Sequence, residues 1–165
     1  DASGIKADLQ NGEVIDSYGD TDIIYRNESG VGIQNIVATS KDDIIIGSDQ
    51  DNVIEAGSGD DLIHIGAGDD EVFGGLGDDR IIVGAGNDTL YGDSRHEAGG
   101  RDTFVFEGGF GTDTIQDFEA AAARQANYNL ADKVWEPSRG GDRIIVQWDQ
   151  GARLHGPVAD TGQIV

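Results

Sequence analysis

Residues 56–91 read AGSGDDLIH (56–64), IGAGDDEVF (65–73), GGLGDDRII (74–82) and VGAGNDTLY (83–91), consecutive nine-residue units in one register. Two looser units precede them, ATSKDDIII (38–46) and GSDQDNVIE (47–55). Position six of the unit is Asp43, Asn52, Asp61, Asp70, Asp79 and Asp88, and position eight is Ile45, Ile54, Ile63, Val72, Ile81 and Leu90. A period this short cannot fold unit by unit; each turn must stack on its neighbours to bury anything. The chain is therefore expected to coil, with a carboxylate at one recurring place and an aliphatic side chain at another.

Outward from this segment the register can be followed further. GDSRHEAGGRDTFVF (92–106) puts Asp102 at position six and Phe104 at position eight if residues 92–96 are an insertion. GGFGTDTIQ (108–116) then supplies Asp113 and Ile115, so eight turns are expected from Ala38 to Gln116. Residues 1–37 read as an N-terminal cap, with short strands at Ile5–Leu9 and Asp22–Tyr25 and a turn at Gln10-Asn11-Gly12. Ile33–Val37 feeds the first unit. Residues 118–165 form a C-terminal capping segment. Its alanine run predicts a short helix N-capped by Asp117, and Asp142–Trp148 predicts a strand. Trp135, Trp148, Phe104, Phe106, Phe110 and Phe118 are expected to cover the open end of the coil. The chain is thus read as a roll over 38–117 between two caps.

Composition narrows the function. The 165 residues hold 32 acids and 11 bases, for a net charge of -21. Such a chain has no means of neutralising phosphates in bulk, which excludes nucleic acid and anionic membrane as partners. Acidic chains without a hydrophobic pattern stay disordered; this one has the pattern, so its acids need a counter-charge on folding. Charge is segregated, because units 38–93 carry only Lys41 and Arg80 as bases, while seven of the bases lie at or after Arg95. There is no cysteine, hence no disulfide, thiolate site or cysteine nucleophile. No apolar run approaches a membrane span. The absence of methionine, even at residue 1, is read as a piece or processed product of a longer protein. No nucleophile–base–orienter combination is legible, and regular repetition of acids argues for structure, so no catalytic residue is expected.

The residue types at each position suit one chemistry. Glycines at positions two and four tolerate positive φ and let backbone carbonyls converge. The following residues alternate as a strand does, with position eight inward and positions seven and nine outward. A turn plus a strand makes half a circuit, so turns eighteen residues apart lie one above another. One side stacks Asp43, Asp61, Asp79 and Asp102, and the other Asn52, Asp70, Asp88 and Asp113. Stacked turns in a parallel sheet lie ~4.8 Å apart. At an effective dielectric of ~20, bare carboxylates at that spacing repel by roughly 3 kcal/mol a pair. A hard dication between them reverses the sign. Calcium takes carboxylate and carbonyl oxygens in flexible geometry, whereas magnesium demands a tighter octahedron and zinc wants nitrogen or sulfur. The histidines are His64, His96 and His155, of which His64 falls in an outward position. Calcium is the expected cofactor, in several copies. Candidate ligands are the position-six residues just named and the carbonyls of Gly57, Gly59, Gly66, Gly68, Gly75, Gly77, Gly84 and Gly86. Asp60, Asp69, Asp78 and Asn87 at position five serve either as further ligands or as surface charge.

GGLGDDRII and GGFGTDTIQ carry the pattern Gly-Gly-x-Gly-x-Asp-x-aliphatic-x, which resembles the calcium-binding nonapeptide repeat of RTX proteins. The resemblance covers residues 38–117. DTFVF, GTDTIQDF and GGDRI downstream, and GIKADL and IQNIVATSKDDIIIGS upstream, are similar to segments flanking such repeats. It implies an all-β parallel β-roll, a right-handed β-helix holding calcium between its turns. It also implies a secreted, extracellular or cell-surface module, acting as a monomer, that crosses a type I secretion apparatus unfolded and folds on meeting calcium. The module would belong to an exported toxin, protease, lipase, epimerase or adhesin. Lys41 and Gln50 at position four and Asn52 at position six depart from the pattern and imply weak or empty sites in the first two turns. The alternative is a calcium-rigidified adhesin or polysaccharide-binding module, similar in size to the repeat modules of mannuronan epimerases. There Arg124, Lys133, Arg139, Arg143 and Arg153 would meet an anionic glycan.

Overall fold

A computed structural model describes residues 3–15, 21–23, 34–93, 99–107, 109, 111–118, 127–129, 134–136 and 143–146. Its strands follow the nine-residue period. The first are β1 (Lys6–Asp8), β2 (Glu13–Ile15), β3 (Thr21–Ile23), β4 (Asn35–Val37) and β5 (Ile44–Ser48). The repeats continue as β6 (Val53–Ser58), β7 (Leu62–Gly66), β8 (Glu71–Leu76), β9 (Arg80–Val83) and β10 (Thr89–Asp93). After them come β11 (Thr103–Phe106), β12 (Thr114–Ile115), β13 (Asn127–Asn129), β14 (Val134–Glu136) and β15 (Arg143–Val146). No helix occurs among the described residues.

Alternate strands go to alternate sheets, which is what half a circuit per unit requires. One sheet runs β12-β10-β8-β6-β4 and is parallel throughout. The other has a parallel middle, β15-β11-β9-β7-β5-β1, closed by antiparallel β2 and β3 at one end and β14 and β13 at the other. Register holds at eighteen residues: Ile45 faces Ile63, which faces Ile81, and Ile54 faces Val72, which faces Leu90. The chain is an all-β parallel roll, as its period requires. Strands β2, β13 and β14 add to the expected set, and the alanine run 120–123 on which the helix is expected lies outside the described residues.

The core lies between the two sheets. It is built from position eight, with Ile45, Ile54, Ile63, Val72, Ile81, Leu90, Phe104 and Ile115 all buried. Position one also points inward, through Ala56, Ile65, Val83 and Phe106. Phe104 and Phe106 are thus core residues, and Phe118 packs on Phe104 with ring centroids 6.4 Å apart. Two outward positions are covered as well. Phe73, stacked on Tyr91 at 4.5 Å, and Val105 are both buried. Ile63→Ala should therefore cost about 2–5 kcal/mol in urea unfolding at saturating calcium. Leu62→Ala next to it, on the outer face, should cost under about 1 kcal/mol.

The extra residues sit slightly later than the sequence reading puts them. Asp93 pairs in register with Gly75, so Gly92 and Asp93 still belong to the regular turn. Gly99 accepts from the Gly77 N–H at 3.0 Å, which places the insertion between Asp93 and Gly99. A second, smaller one follows Phe106, because Phe106 pairs with Val83 while Gly111 donates to Gly86 at 2.9 Å.

Candidate metal centre

The position-six side chains form two buried columns, each tied turn to turn. Asp61 Oδ1 accepts the Asp43 N–H at 2.7 Å, Asp79 Oδ1 that of Asp61 at 2.9 Å, and Asp102 Oδ1 that of Asp79 at 3.0 Å. On the other side Asp70 accepts from Asn52 at 2.8 Å, Asp88 from Asp70 at 3.0 Å, and Asp113 from Asp88 at 3.0 Å. Each of these oxygens thus caps the turn before it.

The position-five side chains run the opposite way and lie exposed. Asp42 accepts the Asp60 N–H at 2.9 Å and Asp60 that of Asp78 at 2.8 Å. Asp51 accepts from Asp69 at 2.9 Å, Asp69 from Asn87 at 2.8 Å, and Asn87 from Thr112 at 3.0 Å. Arg101 ends one ladder with its N–H and guanidinium on Asp78. One oxygen of every position-five residue named here as a candidate ligand is thus used in stitching turns together.

The second oxygens of position six decide what the site can do. Oδ2 of Asp61, Asp70, Asp79 and Asp88 is buried and has no hydrogen-bond partner. These side chains are only 1–2% exposed, and a buried acceptor without a partner is costly. Such an oxygen calls for a proton or a cation. Burial accordingly pushes Asp61 and Asp79 up to about 7 and Asp70 to about 8, against the N–H bonds each accepts. Neighbouring carboxylates push the same way. Asp113 rises to about 6 and Asp88 also rises, burial again being the main cause.

The surroundings are glycine and backbone. Gly57, Gly59, Gly66, Gly68, Gly75, Gly77 and Gly86 have positive φ. A Cβ added at Gly74 would stand 2.5 Å from Asp79 Oδ2, and one at Gly92 would collide with Asp102 Oδ2. Among the described residues no three His, Cys, Asp or Glu side chains converge on one point. The orphaned atoms are carboxylate oxygens in turns of glycine, hard donors that fit calcium and offer zinc nothing. His64 is exposed on the outer face of its strand.

Three features escaped the sequence. Asp117 accepts the Gly92 N–H at 2.9 Å and the Asp93 N–H at 3.0 Å, tying the last turn to the one before it. Asp93 stands at position two, where glycine is usual, and accepts from Gly99 at 2.5 Å. Asp43 and Asn52 have their oxygens engaged, by Thr39 and Ser48. A hydroxyl at position two was the available signal. Arg124, Lys133, Arg139 and Arg153, and also His96 and His155, lie outside the described residues, as do Trp148 and Phe110.

A parallel roll with an orphaned carboxylate oxygen in successive glycine turns is a repeat protein that takes cations between its turns. Residues 29–63, 37–72 and 64–94 match the family profile of the RTX calcium-binding nonapeptide repeat. The segment 29–94 belongs to that family, and its repeats bind several calcium ions. The repeat is structural and not catalytic. No curated protein matches the chain.

Proposed function

We propose that this chain is a calcium-dependent folding module that supports type I secretion and extracellular folding of a larger exported bacterial protein. The buried, unpartnered Oδ2 atoms of Asp61, Asp70, Asp79 and Asp88 carry the reading. These carboxylates, with Asp102 and Asp113 beyond them, would supply the anionic ligands. The carbonyls of the position-two and position-four glycines would supply the neutral ones. Calcium contributes charge neutralisation and several oxygen-directed bonds at once. The chain does the rest: Oδ1 holds each carboxylate against the turn before it, and the core residues register the sheets. Without the ion, each added turn buries another carboxylate oxygen with nothing to satisfy it. Metal binding energy is then folding energy. A chain whose calcium-binding turns stay open at low cytosolic calcium can cross a channel extended and close those turns once outside.

The test is a calcium titration of chelator-treated protein followed by far-UV circular dichroism. A cooperative coil-to-β transition is expected, with a midpoint of about 0.1–1 mM, the range of extracellular calcium modules, and no response to magnesium. Full β structure in excess chelator at neutral pH would sink the proposal.

A further inference from the structure

Two of the turns solve the buried-carboxylate problem without an ion. Asp43 is 1% exposed, yet both its oxygens are satisfied. Oδ1 accepts from the Ile5 N–H at 2.6 Å and Oδ2 from the Thr39 N–H at 2.7 Å, with the Thr39 hydroxyl 2.9 Å from each. In the next turn Asn52 Oδ1 accepts from the Ser48 N–H at 2.8 Å and the Ser48 hydroxyl at 3.2 Å. Its amide Nδ2 donates to the Gln34 carbonyl at 3.1 Å, a bond that aspartate could not make. Both hydroxyls also accept the N–H two residues on, from Lys41 at 3.2 Å and Gln50 at 3.3 Å, which pins the turn.

Later turns provide the internal control. Their position two is Gly57, Gly66, Gly75 and Gly84, with no hydroxyl to donate, and Oδ2 of Asp61, Asp70, Asp79 and Asp88 is orphaned. The clasped turns are also closed from outside by their own apolar contacts. β1 pairs with β5 and β4 with β6, and Ala7, Leu9, Ile45 and Ile54 are buried there.

We propose that the Thr39–Asp43 and Ser48–Asn52 clasps take the place of calcium in the first two turns. These N-terminal rungs stand folded before calcium arrives and serve as the template on which the calcium-dependent rungs assemble. The inference rests on the calcium-folding reading above. In a stack where each turn contacts only its neighbours, a preformed end removes the nucleation step, and growth is directional.

Amide hydrogen exchange on the whole chain tests this, in chelator and in saturating calcium. The Leu9, Ile44 and Val53 N–H groups bond to Ile46, Ile5 and Gln34 within the clasped end. Those of Arg80, Thr89 and Thr103 bond to Asp61, Asp70 and Asp79 in the orphaned turns. In chelator the first set is expected to exchange at least about tenfold more slowly than the second; calcium should then protect both. Thr39→Val with Ser48→Ala should erase the chelator-state protection, while Thr39→Ser should keep it. Uniform exchange in chelator with uniform protection in calcium would overturn the template and leave the calcium reading intact. Uniform protection in chelator would overturn both. Protection that survives the hydroxyl-less variant would show that the clasps are not its source.

Discussion

Gly75→Val is expected to keep the calcium-dependent turns from forming at calcium concentrations that fold the parent protein. Gly75 sits in β8 with φ +121, a conformation that side-chain-bearing residues rarely adopt. That alone costs about 1–3 kcal/mol. The larger penalty is steric. A Cβ at this place would collide with the carbonyl oxygen of Gly57, in the turn stacked beneath it. The obstacle is backbone held in a parallel ladder, so no side-chain rotation relieves it. Gly57 and Gly75 are paired in the all-parallel sheet, and separating them opens the ladder between β6 and β8. Gly109→Ala is the control: φ there is +98, but nothing lies within 4 Å of an added Cβ. Its cost should be only about 1–2 kcal/mol. Circular dichroism across a calcium titration separates the two, and a Gly75→Val chain that folds with the parental midpoint would refute the stacking argument.

Acidification should move the calcium-free and calcium-loaded proteins in opposite directions. Asp61 and Asp79 at about 7, Asp70 at about 8 and Asp113 at about 6 all stand above their ordinary value of 3.8, chiefly because they are buried. A raised folded-state pKa means that the folded chain holds more protons than the unfolded one. Protonation then favours folding. That stabilisation is complete below 3.8 and is lost as pH rises through 6 to 8. In chelator, lowering pH from 8 towards 4 should therefore increase β content, since a proton satisfies the orphaned oxygen that calcium otherwise would. In the presence of calcium the same protons compete for the same oxygens. Once acid has closed the turns, calcium must displace those protons, so the calcium affinity of the closed chain should fall by up to about tenfold per pH unit for each protonated carboxylate it displaces. Dichroism in chelator from pH 8 to 4, with calcium-binding isotherms on the acid-closed chain at pH 6 and 5, checks both. A calcium affinity of the acid-closed chain unchanged between those two pH values would mean that buried carboxylates are not the ligands.

Much of the roll was legible because its period is the structure. Position six recurs every nine residues, so a two-sheet coil must stack Asp61 over Asp79 and Asp70 over Asp88, and it does. Less legible was the second inward position. Glycine occupies position one at Gly47, Gly74 and Gly92 and masks the apolar column of Ala56, Ile65, Val83 and Phe106. Phe73 and Val105 read as outward, yet both are buried, Phe73 by stacking on Tyr91 of the neighbouring strand. The insertion was misplaced by a few residues because Gly92 and Asp93 fit a loop as well as a turn, and only pairing with β8 separates those readings.

Sequence alone determined the period, the parallel all-β roll and the oxygen-ligand chemistry that favours calcium. Each follows from residue type and spacing, which are local quantities. Tertiary structure decided which of the repeated carboxylates lacks a partner. Asp43 and Asp79 occupy the same position in similar units, yet Thr39 and Ile5 satisfy one, while Asp79 Oδ2 faces glycine and backbone and finds no donor. Hydrogen bonding depends on what the fold brings within about 3 Å, and spacing along a chain does not carry that information.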